Sequence, residues 1–189
     1  MSDLTTPYPW PWYGELDPTR LALVVVTSPQ PSGDVTTLVD SIGAAAMAFR
    51  AAGAAVVEIR SAAPLAKRDQ QHAARQVVLS GADSADHVIE PYGWDGFHGT
   101  PLDSILRAEG RDTLVLSGWW LEVAVHSTMR AGNDRGYECL LATDLVAGLD
   151  PTTSAGAISS IHMSGGIFGA TGSGKSVVEA LTTPSEETS

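Results

Sequence analysis

The stretch of residues 112–136 holds the clearest place in this sequence for a chemical site. Residues 113–116 form a short apolar run typical of a strand buried on both faces, and Gly118 permits a tight turn into a helix predicted over residues 120–134. In α/β proteins ligands bind at such a turn, where free backbone N–H groups can hold a developing oxyanion. An acyl-transfer enzyme would place its nucleophile in the first helical turn, but this chain has Ala124 there, which offers none.

Other side chains supply the types of group that a rebuilt hydrolytic site would need. Such a site requires a nucleophile with a histidine and an acid close by. No spacing in the sequence specifies such a triad, so this interpretation stays an alternative. The candidate nucleophiles are Thr27, Ser28, His126, Ser127 and Thr128, and the candidate partners are His98, His126, Asp95 and Glu122.

Residues 169–176 read GATGSGKS and match the phosphate-binding pattern G-x-x-x-x-G-K-[ST] at Gly169, Gly174, Lys175 and Ser176. A phosphate could lie on the backbone N–H groups with the lysine beside it. The loop lies about 14 residues from the end of the sequence, so no later strand can supply a carboxylate for Mg²⁺. The preferred interpretation is a Gly/Ser connection, and nucleotide binding is the less favoured alternative.

The remaining candidate residues are expected to have structural roles and no catalytic role. Cys139 lies in an apolar run and is expected to be a buried, inert thiol. The five histidines show no metal-ligand spacing, so neither a metal nor a cofactor is expected. A polar cluster near the end of the central helix is expected to make ion pairs or a subunit contact. The histidines are His72, His87, His98, His126 and His162, and the cluster is Arg130, Asn133, Asp134 and Arg135.

The composition narrows the class of protein. A length of 189 residues predicts one domain, and the net charge of −11 argues against nucleic acid or an anionic membrane as partner. The single cysteine indicates an intracellular, cytoplasmic protein. No run approaches the ~20 apolar residues of a membrane span, and the first residues do not have the pattern of a signal peptide.

Strands and helices alternate along the chain, which predicts a three-layer, doubly wound α/β domain over residues 21–182 with a mainly parallel sheet. Residues 1–20 are predicted to be an extended aromatic arm, and residues 183–189 a flexible acidic tail. The predicted strands are 21–26, 54–59, 87–90, 113–116, 138–142 and 167–170. The predicted helices are 34–52 with Asp34 as N-cap, 67–79, 100–110 or 103–110, 120–134, 154–164 and 174–181, with a loop at 81–84.

Four segments carry a resemblance to a known family: PWPWYGELDPTRLALVVV, VIEPYGWDGFHGTPLDSILRAEG, VHSTMRAGNDRGYECLL and SGGIFGA. With them the sequence resembles the isochorismatase-like cysteine hydrolases, and within them the ureidoacrylate and biuret amidohydrolases. The resemblance implies an α/β/α domain that assembles into oligomers. It also implies cleavage of amide or ureido C–N bonds through a thioester-type intermediate.

That chemistry depends on three residues which the resemblance places singly on this chain. An Asp that ends the first strand would be the general base, and its position holds Thr27. A supporting Lys would lie six residues before Phe97, where this chain has Pro91, or Glu90 if the alignment shifts by one residue. A nucleophilic Cys would stand at Ala124. All three catalytic side chains are replaced.

The resemblance also implies a vestigial pocket and oxyanion-hole N–H groups at Trp120 and Ala124. The pocket residues would be Trp119, Trp120, Glu122, Phe97 and His98. The adjacent indoles of Trp119 and Trp120 are either anchors of a subunit interface or a plug in the pocket.

Together these observations predict a catalytically inactive homologue that acts as a structural or regulatory subunit. It would form a homo- or hetero-oligomer, with an active paralogous hydrolase as the expected partner, and would bind neither nucleic acid nor membrane. The alternative is a hydrolase of C–N or vinyl-ether bonds with a rebuilt non-cysteine site. A small-molecule or nucleotide-binding protein that uses the loop at 169–176 is less favoured.

Overall fold

The computed structural model describes residues 16–28, 35–61 and 85–182. Six strands in these residues form one parallel sheet with the order β3-β2-β1-β4-β5-β6. The strands are β1 Leu21–Thr27, β2 Ala55–Arg60, β3 His87–Ile89, β4 Thr113–Trp119, β5 Glu138–Ala147 and β6 Ala170–Gly172. The helices are α1 Thr36–Ala51, α2 Leu102–Ala108, α3 His126–Asp134, α4 Pro151–His162 and α5 Gly174–Thr182, with a 3-10 turn at Pro18–Arg20 and a π-helix at Leu121–Val125.

Strand β1 lies in the middle of the sheet because it is apolar on both faces. The run LALVVV has no polar face to turn toward water, so it is stable only where both faces are covered. All of β1 is buried, with even-numbered residues packing toward α2 and α3 and odd-numbered ones toward α1 and α5. The predicted α/β/α architecture and the parallel β1–α1–β2 unit are confirmed.

Two strands run further than predicted and meet at an irregular register. Leu116 of β4 pairs with Leu141 of β5, whereas Gly118 pairs with Val146, so β5 bulges between these pairs. The bulge carries Asp144 out of the ladder and toward the start of α5. Both strands therefore end at the predicted edge of the sheet. The residues that make them longer than predicted place side chains around the candidate site.

The beginnings of two elements differ from the sequence-based expectation. Helix α1 begins at Thr36, and Val35 occupies its N-cap position without a side-chain cap; the predicted cap, Asp34, lies outside the described residues. The predicted extended arm is wrong at Pro18–Arg20, which form a 3-10 turn. Asp17 caps that turn by accepting a hydrogen bond from the Thr19 N–H at 2.9 Å. The rest of the arm, the helix at 67–79, the loop at 81–84 and the tail lie outside the described residues.

The last strand is also displaced from its prediction. Residues 167–170 were expected to be extended, but β6 is Ala170–Gly172. The preceding residues form a turn closed by an antiparallel bridge between Gly166 and Gly169, with positive φ at both glycines. Helix α4 begins at Pro151, three positions before its predicted start, because Asp150 caps it and Pro151 fits the first helical position. Across the described ranges, no helix combines the length and apolar character that crossing a membrane requires.

Candidate functional site

The candidate site lies at the carboxyl edge of β1, β2 and β4. Val26 of β1 pairs with Gly118 of β4, which places Thr27 beside the strand-to-helix junction. The indole N–H of Trp119 donates to the carbonyl of Ser28 at 2.8 Å and ties the two strand ends together. The topology therefore brings the predicted base and nucleophile positions to one edge, where parallel α/β folds bind ligands.

The junction itself is not the plain α-helix predicted from Trp120. Gly118 has a φ of 117°, and Trp120 follows in the left-handed region with φ 61° and ψ 52°. A five-residue π-helix, Leu121–Val125, then leads into α3. Glycine is required at position 118 because a Cβ there would overlap the carbonyl oxygen of Val26.

Ala124, which stands where the resemblance places a nucleophile, is fully buried, at 0 % exposure. Its N–H donates to the Trp120 carbonyl at 2.8 Å, and the N–H groups of Val123 and Val125 reach the same oxygen at 3.0 and 3.4 Å. Of the two N–H groups that the resemblance assigned to an oxyanion hole, that of Ala124 is therefore already bonded within the turn. The methyl side chain packs in the main hydrophobic cluster, in an environment that would disfavour a developing negative charge.

The base position carries a neutral hydroxyl within a buried hydrogen-bond chain. Thr27 is fully buried, and its hydroxyl donates to the Ile59 carbonyl at 3.3 Å. The Ser61 hydroxyl donates to the Thr27 carbonyl at 2.9 Å and lies 2.7 Å from the Ser28 hydroxyl. Because the Ser61 proton is engaged by that carbonyl, Ser28 donates to Ser61. These hydroxyls join β1 to β2 and leave no carboxylate where the general base would act.

The lysine position also has no amine. Pro91 is buried at the start of the loop that follows β3. Its neighbour Glu90 is exposed and lies 4.0 Å from the guanidinium of Arg60, which also pairs with buried Glu58 at 3.1 Å. The local cation therefore belongs to β2 and is shared between two carboxylates.

Glu122 faces α4 and is bound to its first turn. Its carboxylate accepts hydrogen bonds from the Ser154 hydroxyl at 2.5 Å, the Leu149 N–H at 2.9 Å and the Thr153 hydroxyl at 3.1 Å. Burial acts to raise the pKa of Glu122, but these hydrogen bonds outweigh it and hold the pKa below its ordinary value. Glu122 therefore stays ionised and fastens the π-helix to α4.

The other predicted pocket residues differ in their surroundings. Phe97 is buried in the same core cluster as Ala124 and lies against Tyr137, with ring centroids 5.6 Å apart. Trp119 is buried against Val35 and against Val39 of α1, and His98 is exposed. Trp120 is half-buried and packs on the cluster that contains Ala124.

Sequence analysis missed Trp94, which proves to be the partner of Trp120. The two rings lie 5.0 Å apart and are tilted by 38°. Thr128 of α3 fixes the loop of Trp94, because its hydroxyl oxygen accepts the Gly96 N–H at 3.0 Å. The only signal in the sequence was the aromatic, glycine-rich character of residues 91–99, which does not indicate a pairing.

Two candidate nucleophiles of a rebuilt site have hydroxyls that are engaged in hydrogen bonds. The Thr128 hydroxyl holds the loop at Gly96, and the Ser28 hydroxyl lies in the chain described above. Cys139 is buried, and burial raises the pKa of its thiol. Asp95 caps its own loop by accepting the Phe97 N–H at 2.8 Å. In the described ranges no group of three or more His, Cys, Asp or Glu is arranged to hold a metal ion.

His126 faces Arg130 instead of a nucleophile. The Arg130 Nε donates to the His126 Nε2 at 3.1 Å, and its guanidinium lies 3.8 Å above the Phe168 ring. Asn133 and Arg135 likewise donate to carbonyls one turn earlier, at Met129 and Ala131. Arg130, Asn133 and Arg135 of the polar cluster thus make hydrogen bonds within the helix, and the alternative of a subunit contact stays a prediction.

The His126 contact predicts a pH dependence of stability. Burial and the Arg130 cation lower the pKa of His126 below its ordinary 6.5, so the unfolded chain takes up this proton first as the pH falls below 6.5. Stability is therefore expected to fall between about pH 6.5 and 5 more steeply in the wild type than in His126→Gln, which keeps an acceptor but cannot titrate. Urea denaturation across this range measures the difference, and equal slopes would contradict the assignment.

The GATGSGKS loop is already occupied by a carboxylate of the chain. Asp144 accepts the N–H groups of Gly174 and Lys175 at 2.5 and 3.1 Å and the Ser173 hydroxyl at 2.9 Å. Desolvation acts to raise the pKa of Asp144, but these hydrogen bonds lower it below its ordinary value. The side chain of Lys175 points to Glu179, 3.8 Å away. The donors that would hold a phosphate therefore cap α5.

This capping predicts that nucleotides do not bind. Titration of the protein with ATP and Mg²⁺ by calorimetry is expected to give no saturable heat up to millimolar nucleotide, because Asp144 would have to leave its three donors. Lys175→Ala is expected to behave identically. Micromolar affinity that disappears in Lys175→Ala would contradict this account of the loop.

Comparison with known proteins assigns a family to this arrangement. The sequence profile of the isochorismatase domain matches residues 23–172. An uncharacterized isochorismatase family protein of Bacillus subtilis is 36% identical over 67 residues, which are 35% of each chain. A ureidoacrylate amidohydrolase of Methylorubrum extorquens is 42% identical over 62 residues, 33% of this chain and 25% of that protein. These matches thus span about a third or less of the relatives' lengths.

Solved structures share the whole fold. A cysteine hydrolase of Pseudomonas syringae pv. phaseolicola superposes with a TM-score of 0.77 and 22% identity, covering 94% of this chain and 98% of the other. A nicotinamidase of Staphylococcus aureus superposes with a TM-score of 0.64 and 20% identity, covering 81% and 98%. At these identities the likeness establishes the α/β/α fold.

Proposed function

Because this chain belongs to the isochorismatase domain family but has no nucleophile, base or amine at the catalytic positions, we propose that it is a catalytically inactive member. Its role would be that of a structural or regulatory subunit, and its partner an active paralogous hydrolase. Such a role needs the scaffold and its surface, which the chain keeps, and not the catalytic side chains.

The setting of Ala124 is the observation that carries the proposal. A lost nucleophile alone could be compensated by another group in the same space. Here the side chain of Ala124 has 0 % exposure, and its N–H donates to the Trp120 carbonyl within the turn. Amide hydrolysis needs an exposed nucleophile next to free oxyanion donors, and this position offers neither.

The surface of the described residues supports contact with another subunit. Tyr92 is 63% exposed and Ile167 is 72% exposed, each at a loop on the surface. Tyrosine is enriched at the buried centres of protein interfaces, and burial of the exposed Ile167 side chain would remove apolar surface from water. They are the points that a partner would cover.

The partner is tested by a tagged pull-down from the native cell, analysed by native mass spectrometry. We expect the chain in a complex with a paralogue that carries the Asp, Lys and Cys lacking here. Recovery of the chain only as a homo-oligomer would contradict the proposal of a paralogous partner. Ile167→Asp and Tyr92→Asp should each weaken the complex. Lys175→Glu, on the exposed face of α5, is the matched control and should not weaken it.

A further inference from the structure

Trp120 has the least usual backbone conformation in the described part of the chain. Among those residues it is the only one other than glycine with a positive φ. A side chain disfavours the left-handed region, and a π-helix follows directly, a feature frequent at functional sites. Strained residues persist where the surrounding packing holds them, so the contacts of this indole indicate its purpose.

The Trp120 indole bridges the two sides of the sheet at its carboxyl edge. It packs against the main cluster, which contains Ala124 and Leu121, and against the small cluster of Val35, Val39 and Trp119 at the start of α1. The first cluster lies toward α3 and the second toward α1. A side chain that contacts both must lie across the edge where parallel α/β folds open their ligand site.

No ligand ring can lie between Trp120 and Trp94. Their centroids are 5.0 Å apart, which is direct aromatic contact. A third ring between them would require two contact layers, about 7 Å in all. Ala124 and Leu121, in the core cluster on which both indoles pack, are 0 % and 1 % exposed. The two indoles therefore contact each other over a closed core and do not clamp a ligand.

We propose that Trp120, backed by Trp94, is an aromatic plug that fills the substrate space of the ancestral pocket. The left-handed backbone of Trp120 turns the indole into that space. The inference depends on the proposed function only for the location of the pocket. It adds that restoring Asp, Lys and Cys at positions 27, 91 and 124 would not restore substrate binding while the plug stays in place.

The plug predicts which ligands an opened site would take. The core cluster on which Trp120 packs is apolar and includes Ala124 and Leu121, and Trp94 packs on the same cluster. Removing the half-buried indole leaves an apolar cleft of its own shape, and such a cleft binds neutral planar molecules. Indole itself is therefore the probe, and glycine is the substitution of choice because it accepts a φ of 61° without strain.

The test compares wild type, Trp120→Gly and Trp120→Phe by thermal melting with and without millimolar indole. We expect indole to raise the Tm of Trp120→Gly by roughly 2–6 °C and to leave wild type and the ring-retaining Trp120→Phe unchanged. An equal rise in wild type would show an open pocket, and a folded Trp120→Gly that ignores indole would show no cavity. Either result overturns the plug.

A second measurement keeps the proposal testable should Trp120→Gly not fold. Two indoles 5.0 Å apart couple their transitions and give an exciton couplet in far-ultraviolet circular dichroism. Trp120→Phe and Trp94→Phe should each abolish the same couplet, and a couplet that survives either substitution would disprove the pairing. Neither readout involves a partner, so a failed plug and a failed subunit role are distinguishable.

Discussion

Gly118→Ala is expected to yield no folded protein. The new Cβ would overlap the carbonyl of Val26 in the central strand, and φ at this position is 117°. Strand β1 is buried on both faces and paired on both edges, so it cannot move away without disrupting the sheet. The expected loss exceeds about 4 kcal/mol, a large part of the total stability of a domain. Urea denaturation monitored by circular dichroism measures it.

Gly53→Ala is the matched control for this effect. Gly53 also has a positive φ, at 90°, but an added Cβ would meet no atom within 4 Å. The expected loss is therefore about 1–2 kcal/mol, from the left-handed backbone alone. Equal stabilities of the two variants would show that the overlap with Val26 relaxes freely, and would contradict the rigid junction described above.

Arg111→Ala is expected to have the second largest effect, a loss of about 2–4 kcal/mol. The side chain is only 15% exposed. One nitrogen, Nη1, donates to the carbonyls of Pro18 and Thr19 at 2.8 Å and of Gly53 at 3.1 Å. Its removal takes one donor from each of these carbonyls, of which that of Pro18 keeps the Leu21 N–H, and releases the 3-10 turn from the end of α1. Chemical denaturation of the purified variant gives the free energy of unfolding.

Arg20→Ala provides the control in the same region. Arg20 pairs with Asp112, but its side chain is 55% exposed, so water replaces the lost partner. Its expected cost is therefore much smaller than that of Arg111→Ala. A loss for Arg111→Ala that is no greater than that of Arg20→Ala would show that the carbonyl contacts of Arg111 contribute nothing net.

The central strands could be predicted because their sequences fit only a strand that is buried on both faces. LALVVV and its neighbours are apolar without alternation, which is typical of strands covered on both faces. The start of α4 was also encoded locally, by Asp150 before Pro151, although sequence analysis placed it three residues later. The strand expected at 167–170 was wrong because apolar character outweighed the glycines at 165, 166 and 169, which form a turn and leave Ile167 exposed.

The catalytic replacements follow from the resemblance and stay predictions, whereas the packing around Trp120 could not be predicted from the sequence. The replacements at Thr27, Pro91 and Ala124 are read directly from the aligned motifs. The left-handed Trp120 and its contact with Trp94 depend on packing between segments 26 residues apart, which no local pattern records. The same holds for Asp144, whose capping of α5 follows from the bulge in β5.

The central claim, that this chain does not catalyse hydrolysis, is tested most directly by its own turnover. Purified protein is incubated with ureidoacrylate and simple amides, and ammonia release is compared with buffer and with Thr27→Ala, Ser28→Ala and Ser127→Ala variants. We expect rates indistinguishable from buffer for all four proteins. A wild-type kcat near 1 s⁻¹ or above, lost in any of these variants, would demonstrate a working site and contradict it.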